Sequence, residues 1–315
     1  MSGRVKRRER SNPAAGLIHL LNQRYRKEWE RAEALQGELD RLRRSPLGPL
    51  IAALRWIKRR LRPQRATVHL VEQSTPYLPG HIGTPITEVV SIVIPFRDEP
   101  ELLRNCLRSL NASSYRRFEI VLVDNGSIQA KTQRVLARIA HRNRIRVVSA
   151  PGPFNFSKLC NAGAAAAAGD CLLFLNNDTE VLSTDWLDQM LHIAADPRVG
   201  VVGATLLYPD RTIQHAGVFP RSDGEWVHPY RGEPANAVGR EGELQRVRCV
   251  PAVTGACLLV QRKTFEELGG FDERYPLTFN DVDLCRRARA RGLSIVVTPH
   301  ARLLHYEGLG RGYSQ

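Results

Sequence analysis

Gly169-Asp170-Cys171-Leu172-Leu173-Phe174-Leu175-Asn176-Asn177-Asp178-Thr179-Glu180-Val181-Leu182 is the stretch on which the fold turns. Cys171 to Leu175 is a continuous apolar run of strand length, which suits a strand buried on both faces. It ends abruptly in Asn176, Asn177, Asp178, Thr179 and Glu180. In open α/β sheets, ligands bind outside the carboxyl ends of the strands. Oxygens gathered there are placed to hold a hard cation, which takes one or two carboxylates and completes its shell from a substrate's phosphates. Taken alone, Asn-Asn-Asp reads equally as a polar turn, so the surrounding chain decides.

Upstream, Val89 to Pro95 reads as a buried strand, followed by the loop Phe96 to Pro100 and a helix through Leu102, Leu103, Cys106, Leu107 and Leu110. Phe118 to Val123 reads as the next strand and ends in Asp124-Asn125-Gly126-Ser127; a helix (132–141) and a strand (145–148) follow. Residues 155–169 read as an Ala-rich helix with Gly163 inside it and Gly169 as its stop. This alternation predicts an α/β fold: a mostly parallel sheet wound with helices through right-handed crossovers. Three of these strands end near Asp98, Asp124 and Asp178, a repetition that suits a nucleotide site at one edge of the sheet.

Downstream, the pattern predicts a helix over 186–195, strands over 199–206 and 254–260, and a short helix over 263–268. The turn Gly269-Gly270-Phe271-Asp272 follows. Asn280 or Asp281 is expected to cap a helix that runs to about Arg291 and stops at Gly292. A last strand is expected over 295–297, with 301–305 leading into a Gly-rich tail. Residues 208–248, rich in Gly, Pro, His and charge, fit no element.

The 315 residues, 43% hydrophobic and 25% charged, have the profile of a soluble globular protein. No apolar run approaches the ~20 residues that cross a bilayer, and no signal-type segment follows the basic N-terminus. A cytoplasmic location is expected. Six cysteines, at 106, 160, 171, 249, 257 and 285, form no Cys-x-x-Cys pair and read as reduced thiols. The net charge of +14 suggests nucleic acid, but residues 1–65 hold 18 Lys+Arg against 6 Asp+Glu, leaving only +2 elsewhere. Three regions follow: a basic helical extension (1–65), a Pro-containing linker (66–87) and a domain over 88–310. Within the extension, residues 17–44 have helical spacing that suits a short coiled coil. Residues 47–61, basic around Trp56, suit peripheral contact with an anionic membrane surface, here the inner face of the plasma membrane.

Seven pieces stand in order between about residues 88 and 310: Ser91 to Pro95, Val123 to Ser127, Asn161-x-Gly163, Phe174 to Glu180, Gly269 to Glu273, Asn280 to Arg287, and His305 to Gly308. Together they resemble the inverting family 2 glycosyltransferases of GT-A fold, in the bacterial branch that builds O-antigen and other cell-surface polysaccharides. The resemblance implies a donor site in which Asp124 receives the base of a nucleoside diphosphate sugar, with Pro95 and Asp98 lining the same pocket and Asn125 and Asn161 contributing. Asn176-Asn177-Asp178 takes the place of the family's Asp-x-Asp motif. Asp178 would hold Mg²⁺ or Mn²⁺, and His305 would complete the metal's shell. Asn176 replaces the motif's first acid, so the site carries one charge fewer. Asp281 matches the catalytic base and Asp283 is the second candidate; capping and helix-dipole compensation would account for either without catalysis.

The expected function is therefore metal-dependent, inverting transfer of a sugar from a UDP- or dTDP-linked donor to a hydroxyl of a glycan or lipid-linked acceptor. Displacement at an anomeric carbon needs a carboxylate opposite the leaving diphosphate to take the acceptor's proton. Two other classes are weighed against it. A sugar nucleotidyltransferase would carry a Gly-rich loop after its first strand, where Phe96-Arg97-Asp98-Glu99 stands. A transferase-like recruitment module would tolerate Asn176 but has no use for Asp178 and Asp281.

Overall fold

The computed structural model describes residues 70–79, 88–139 and 143–307. Nothing below concerns the other residues, so the helix expected over 17–44, the basic segment 47–61, most of the linker and the tail lie outside the described residues. Described residues belong to one compact unit, Val68–Gln315.

Elements follow the sequence closely in the first half. A two-residue strand Thr75–Pro76 (β1) precedes Val90–Phe96 (β2), Pro100–Leu110 (α1), Phe118–Asp124 (β3), Ala130–Ile139 (α2), Ile145–Ser149 (β4), Phe156–Ala166 (α3) and Cys171–Leu175 (β5). β2 pairs in parallel with both β3 and β5, and β3 with β4, so this half is the expected wound parallel sheet. The chain continues through Thr179–Val181 (β6), Trp186–Ala194 (α4), Val199–Leu207 (β7), Ile213–His215 (β8), Phe219–Pro220 (β9), Trp226–Val227 (β10), Arg248–Cys249 (β11), Cys257–Gln261 (β12), Arg262–Glu267 (α5), Asn280–Ala290 (α6) and Ser294–His305 (β13). The sheet order is β1-β11-β13-β7-β12-β5-β2-β3-β4, with β6 on β13 and β8 on β7. The second half departs from parallel winding: β12 lies antiparallel to both β5 and β7, and the β1–β11, β11–β13, β6–β13 and β7–β8 pairs are antiparallel too, while β13 and β7 run parallel.

All five residues of β5 are buried. Their period of two divides the core. Cys171, Leu173 and Leu175 pack with α1 and α4 (Leu103, Leu110, Trp186, Met190). Leu172 and Phe174 pack on the other face with α3, α5 and α6 (Leu159, Phe265, Leu284). There Phe174, Phe265 and Phe271 form an aromatic trio with ring centroids 4.8–5.5 Å apart. Gly163 lets α3 approach the sheet: a Cβ at that position would sit 2.3 Å from Val93 Cγ1 and 2.8 Å from Val123 Cγ2.

Several boundaries differ from expectation, each for a local reason. The strand expected from residue 254 begins at Cys257, because the backbone N–H groups of Thr254 and Gly255 are engaged with His215 and Asp281. Neither Asn280 nor Asp281 is the N-cap of α6; Phe279 holds that position in the left-handed region (φ 67°), and the Asn280 and Asp281 side chains bond within the first turn. The strand expected over 295–297 extends through to His305, since β7 and β6 both offer it partners. Among the described residues no helix is long and apolar enough to cross a membrane.

Candidate active site

A cleft opens over the carboxyl ends of β2 and β5. Its floor carries Pro95, Phe96, Asn176, Asn177 and Asp178, and its walls carry Gln214, His215, His228, Arg231, Asp281, His305 and Glu307. Strand pairing explains one edge. β6 follows Asp178 directly and runs antiparallel to β13 with His305 opposite Thr179, so a histidine 127 positions later arrives beside the carboxylate. His305 Nε2 lies 3.2 Å from Asp178 Oδ1 and 3.2 Å from Asn176 Nδ2. The Tyr306 amide donates to the Asp178 carbonyl (3.0 Å).

The tautomer of His305 follows from its other neighbours. Gln214 Nε2 donates to Glu307 Oε2 (3.1 Å), which turns Gln214 Oε1 toward His305 Nδ1 at 2.6 Å. Nδ1 therefore carries a proton, and in that tautomer Nε2 accepts from Asn176 Nδ2 beside Asp178 Oδ1. An imidazole nitrogen and a carboxylate oxygen 3.2 Å apart at one edge of the cleft suit a shared cation, and the carbonyl behind the ring is the usual support of a metal-bound histidine. Among the described residues no three His, Cys, Asp or Glu side chains converge; Asp178 and His305 are the pair that could hold a cation here. That fits Mg²⁺ or Mn²⁺ held partly by a substrate's phosphates. Asn177 Nδ2 is buried on the cleft floor without a partner among the described residues, a donor suited to a substrate oxygen.

Glu307 anchors this edge. It accepts from Arg231 Nη2 (2.5 Å), Tyr208 Oη (2.9 Å) and Gln214. Burial works to raise its carboxyl, but the Arg231 charge and these hydrogen bonds hold it down at about 2.

Asp281, in the first turn of α6, lines the same cleft. Its Oδ2 accepts from the Gly255 amide (2.9 Å) and its Oδ1 from the Val282 amide (2.8 Å). Burial pushes this carboxyl above the ordinary aspartate range, against the pull of those two amides. A carboxylate made more basic in this way is a better proton acceptor near neutral pH. Asp283 instead pairs with Arg287 (2.8 Å) and does not line the cleft.

The remaining residues singled out in the sequence lie around the cleft rather than in it. Asp98, buried and in the left-handed region, accepts the amides of Ile128 (3.0 Å) and Gln129 (2.8 Å) and so fixes the loop before α2. Asp124 stands beside Phe96 in register; its Oδ1 is taken by the amide and hydroxyl of Ser127, while Oδ2 accepts nothing from the described residues. Asn125 straps the β3 loop to the carbonyls of Ala150 (2.9 Å) and Gly152 (3.2 Å). Asn161 exchanges hydrogen bonds with the Phe271 backbone, both 2.9 Å, and pins the Gly269-Gly270 turn to α3.

Gln214, His215, His228, Arg231 and Thr254 were not singled out in the sequence. The first four lie in residues 208–248, whose strands are two or three residues long and leave no periodicity to read, and Thr254 stands just before β12, where a strand was expected. The signal available was chemical: His215, His228 and Arg231 fall in one segment that shows no periodicity.

Known proteins place this geometry in context. The model of the family Glycosyl transferase family 2 matches residues 91–269. The O-antigen biosynthesis protein RfbC of Myxococcus xanthus is 40% identical over 231 residues, 73% of this chain and 18% of that protein. The N-acetylglucosaminyl-diphospho-decaprenol L-rhamnosyltransferase of Mycobacterium tuberculosis (strain CDC 1551 / Oshkosh) is 28% identical over 72% of this chain and 79% of its own. The chain spans only about a fifth to a quarter of the first curated relatives it matches (18% and 25%). Among solved structures, GalNAc-T7 with UDP, GalNAc and Mn²⁺ aligns at TM-score 0.58 and 18% identity, over 69% of this chain and 44% of that one. The mannosyltransferase PcManGT from Pyrobaculum calidifontis, in complex with GDP-Man and Mn²⁺, aligns at 0.53 and 17%, over 84% and 66%. These likenesses identify the fold as GT-A.

Proposed function

The chain belongs to glycosyl transferase family 2, and we propose that it moves one sugar, with inversion, from a UDP- or dTDP-linked donor to a hydroxyl of a glycan or lipid-linked acceptor in cell-surface polysaccharide synthesis. The observation that carries this reading is one cleft lined both by the Asp178–His305 pair and by the Asp281 carboxylate. Relatives named for O-antigen biosynthesis and for rhamnosyl transfer to a diphospho-decaprenol support the substrate class.

Asp178 and His305 are the residues that would hold Mg²⁺ or Mn²⁺, which supplies positive charge against the leaving diphosphate. Asn177 Nδ2 donates to a donor oxygen, Asn176 contacts the donor beside it, and Pro95 and Phe96 bound the floor. Asp124 Oδ2 receives the base at the neighbouring strand end. Asp98, Asn125 and Asn161 act through the loops they hold. Asp281 takes the acceptor hydroxyl's proton as that oxygen attacks the anomeric carbon from the face opposite the diphosphate. At the scale of the chain, residues 88–310 carry the transfer, residues 1–65 form a basic extension, and residues 47–61 contact the inner membrane surface, where a lipid-linked acceptor resides.

Donor hydrolysis across a panel of UDP- and dTDP-sugars, with Mn²⁺, with Mg²⁺ and with EDTA, tests this reading. Slow, metal-dependent hydrolysis of one donor, lost in Asp178→Ala, is expected. Equal turnover in EDTA would remove the metal from the account, and no turnover or binding of any donor would favour the recruitment-module reading.

A further inference from the structure

His215 and His228, neither of which has a role in the reading above, form a relay on the cleft wall. Their Nδ1 atoms lie 3.1 Å apart and their rings meet edge to face, with centroids 5.1 Å apart. The direction of that hydrogen bond follows from its far end. His215 Nε2 is met by two backbone N–H groups, those of Gly217 (3.4 Å) and Thr254 (3.5 Å). Both are long, and both can only donate. His215 Nε2 therefore carries the lone pair and its Nδ1 the proton, which it gives to His228 Nδ1. His228 is left with its proton on Nε2, which has no partner among the described residues, on a ring that lines the cleft.

Two further features bear on what this N–H can bind. Burial and the nearby charges of His228 and Arg248 push His215 well below the ordinary histidine range, and burial and Arg231 hold His228 at about 4. The pair is thus neutral at neutral pH and offers a directional donor without a charge, which suits an uncharged oxygen better than a phosphate. The backbone that fixes the relay also fixes the proposed base: Thr254 N–H goes to His215 and Gly255 N–H to Asp281. The donor therefore belongs to the part of the cleft where the reacting sugar must lie.

We propose that His228 presents its Nε2–H to a hydroxyl of a pyranose bound in the cleft, as a specificity-determining contact, with His215 as the positioning residue that fixes its tautomer. This rests on the transferase reading. The hydroxyl can belong to the donor's sugar or to the acceptor's terminal sugar, and the two give different results.

The test compares full-length protein with His228→Leu and His228→Gln, the latter keeping an N–H near the Nε2 position. Binding of UDP and dTDP with Mn²⁺ is expected to be unchanged in both. With His228→Leu, a loss of about tenfold in kcat/KM for donor hydrolysis, the scale of one hydrogen bond to a bound sugar, assigns the hydroxyl to the donor. Unchanged hydrolysis with a similar rise in acceptor KM assigns it to the acceptor. His228→Gln should recover most of either loss. If His228→Leu changes neither quantity, or Gln fails to rescue, the inference is overturned while the transferase reading stands. Failure of the wild-type protein to bind any nucleotide would instead sink the transferase reading and, with it, this substrate. An independent check needs no donor: long-range ¹H–¹⁵N spectra of the free protein at pH 7 should show His215 protonated at Nδ1 and His228 at Nε2. The opposite tautomers, or an imidazolium at either ring, would overturn the relay.

Discussion

Asp281 is where the site's chemistry and its cost in stability meet. Its carboxyl is raised by burial, so the folded state keeps the proton to higher pH than the unfolded state does. The sign follows: above the folded pKa the native carboxylate carries the full penalty, and that penalty is relieved as pH falls through it. Asn offers one acceptor where the carboxylate meets the two N–H groups of Gly255 and Val282, so the pH dependence and not the absolute melting point carries the sign. The wild type should lose melting temperature relative to Asp281→Asn as pH rises from the ordinary aspartate range to neutrality in calorimetric scans. A base must be ionised, so kcat/KM should fall on the acid side with a midpoint above the ordinary aspartate range. A limb at or below that range would assign the base elsewhere. Glu307 behaves oppositely. Its carboxyl falls from an ordinary 4.5 to about 2, so the stability it contributes is complete above about 4.5 and is lost as pH falls toward 2. Glu307→Gln should flatten the acid-unfolding profile across that window. At this scale the sequence was informative where a residue type has few uses: Asp178, Asp281 and His305 all line the cleft. It was less informative for Asp98, Asn125 and Asn161, because an amide or carboxylate in a loop looks the same whether it holds a ligand or the neighbouring backbone.

Helix α3 and strand β5 show what periodicity could and could not specify. The two-faced burial of β5 was legible in Cys171 to Leu175, since only a strand covered on both sides needs five apolar residues in a row. The antiparallel β12 was not legible, because a buried run has the same composition in either direction. Nor was the full length of β13, whose last residues pair with the three-residue β6. Asn161-x-Gly163 illustrates a motif whose purpose appears only in packing. Asn161→Ala would leave the Phe271 N–H and C=O unmet and should cost about 1–3 kcal/mol in urea unfolding, with donor affinity unchanged; a selective loss of donor affinity would return Asn161 to the binding site. Gly163→Ala gains ~0.5–1 kcal/mol of helix propensity. The new methyl meets Val93 and Val123, however. Such overpacking costs about 1–3 kcal/mol, so a net loss of stability is expected. A net gain would mean α3 can lift from the sheet freely.

On the scale of the whole molecule, the basic charge is concentrated in one part of the chain and the cleft lies in another. Residues 1–65 account for +12 of the +14 net charge, so the basic pI reflects the extension rather than the cleft. Polybasic segments near an anionic surface contribute about 1 kcal/mol per residue. Reversing Lys58, Arg59 and Arg60 to Glu in the full chain should therefore abolish sedimentation with phosphatidylglycerol vesicles and leave hydrolysis of a soluble donor unchanged. Persistent vesicle binding would place the membrane contact elsewhere. The cleft itself depends on long-range topology that no local reading supplies: Asp178, His228 and Asp281 line one cleft because β13 returns beside β6 and the irregular 208–248 segment packs against the end of β13 through Gln214 and Arg231. The central claim is a division of labour within that cleft, with Asp178 and His305 holding the diphosphate's metal and Asp281 taking the proton. The most direct measurement is donor Kd and transfer rate, side by side, for Asp281→Asn. The account predicts a Kd within about threefold of wild type and a transfer rate lower by about 10²-fold or more. A transfer rate near wild type would contradict it.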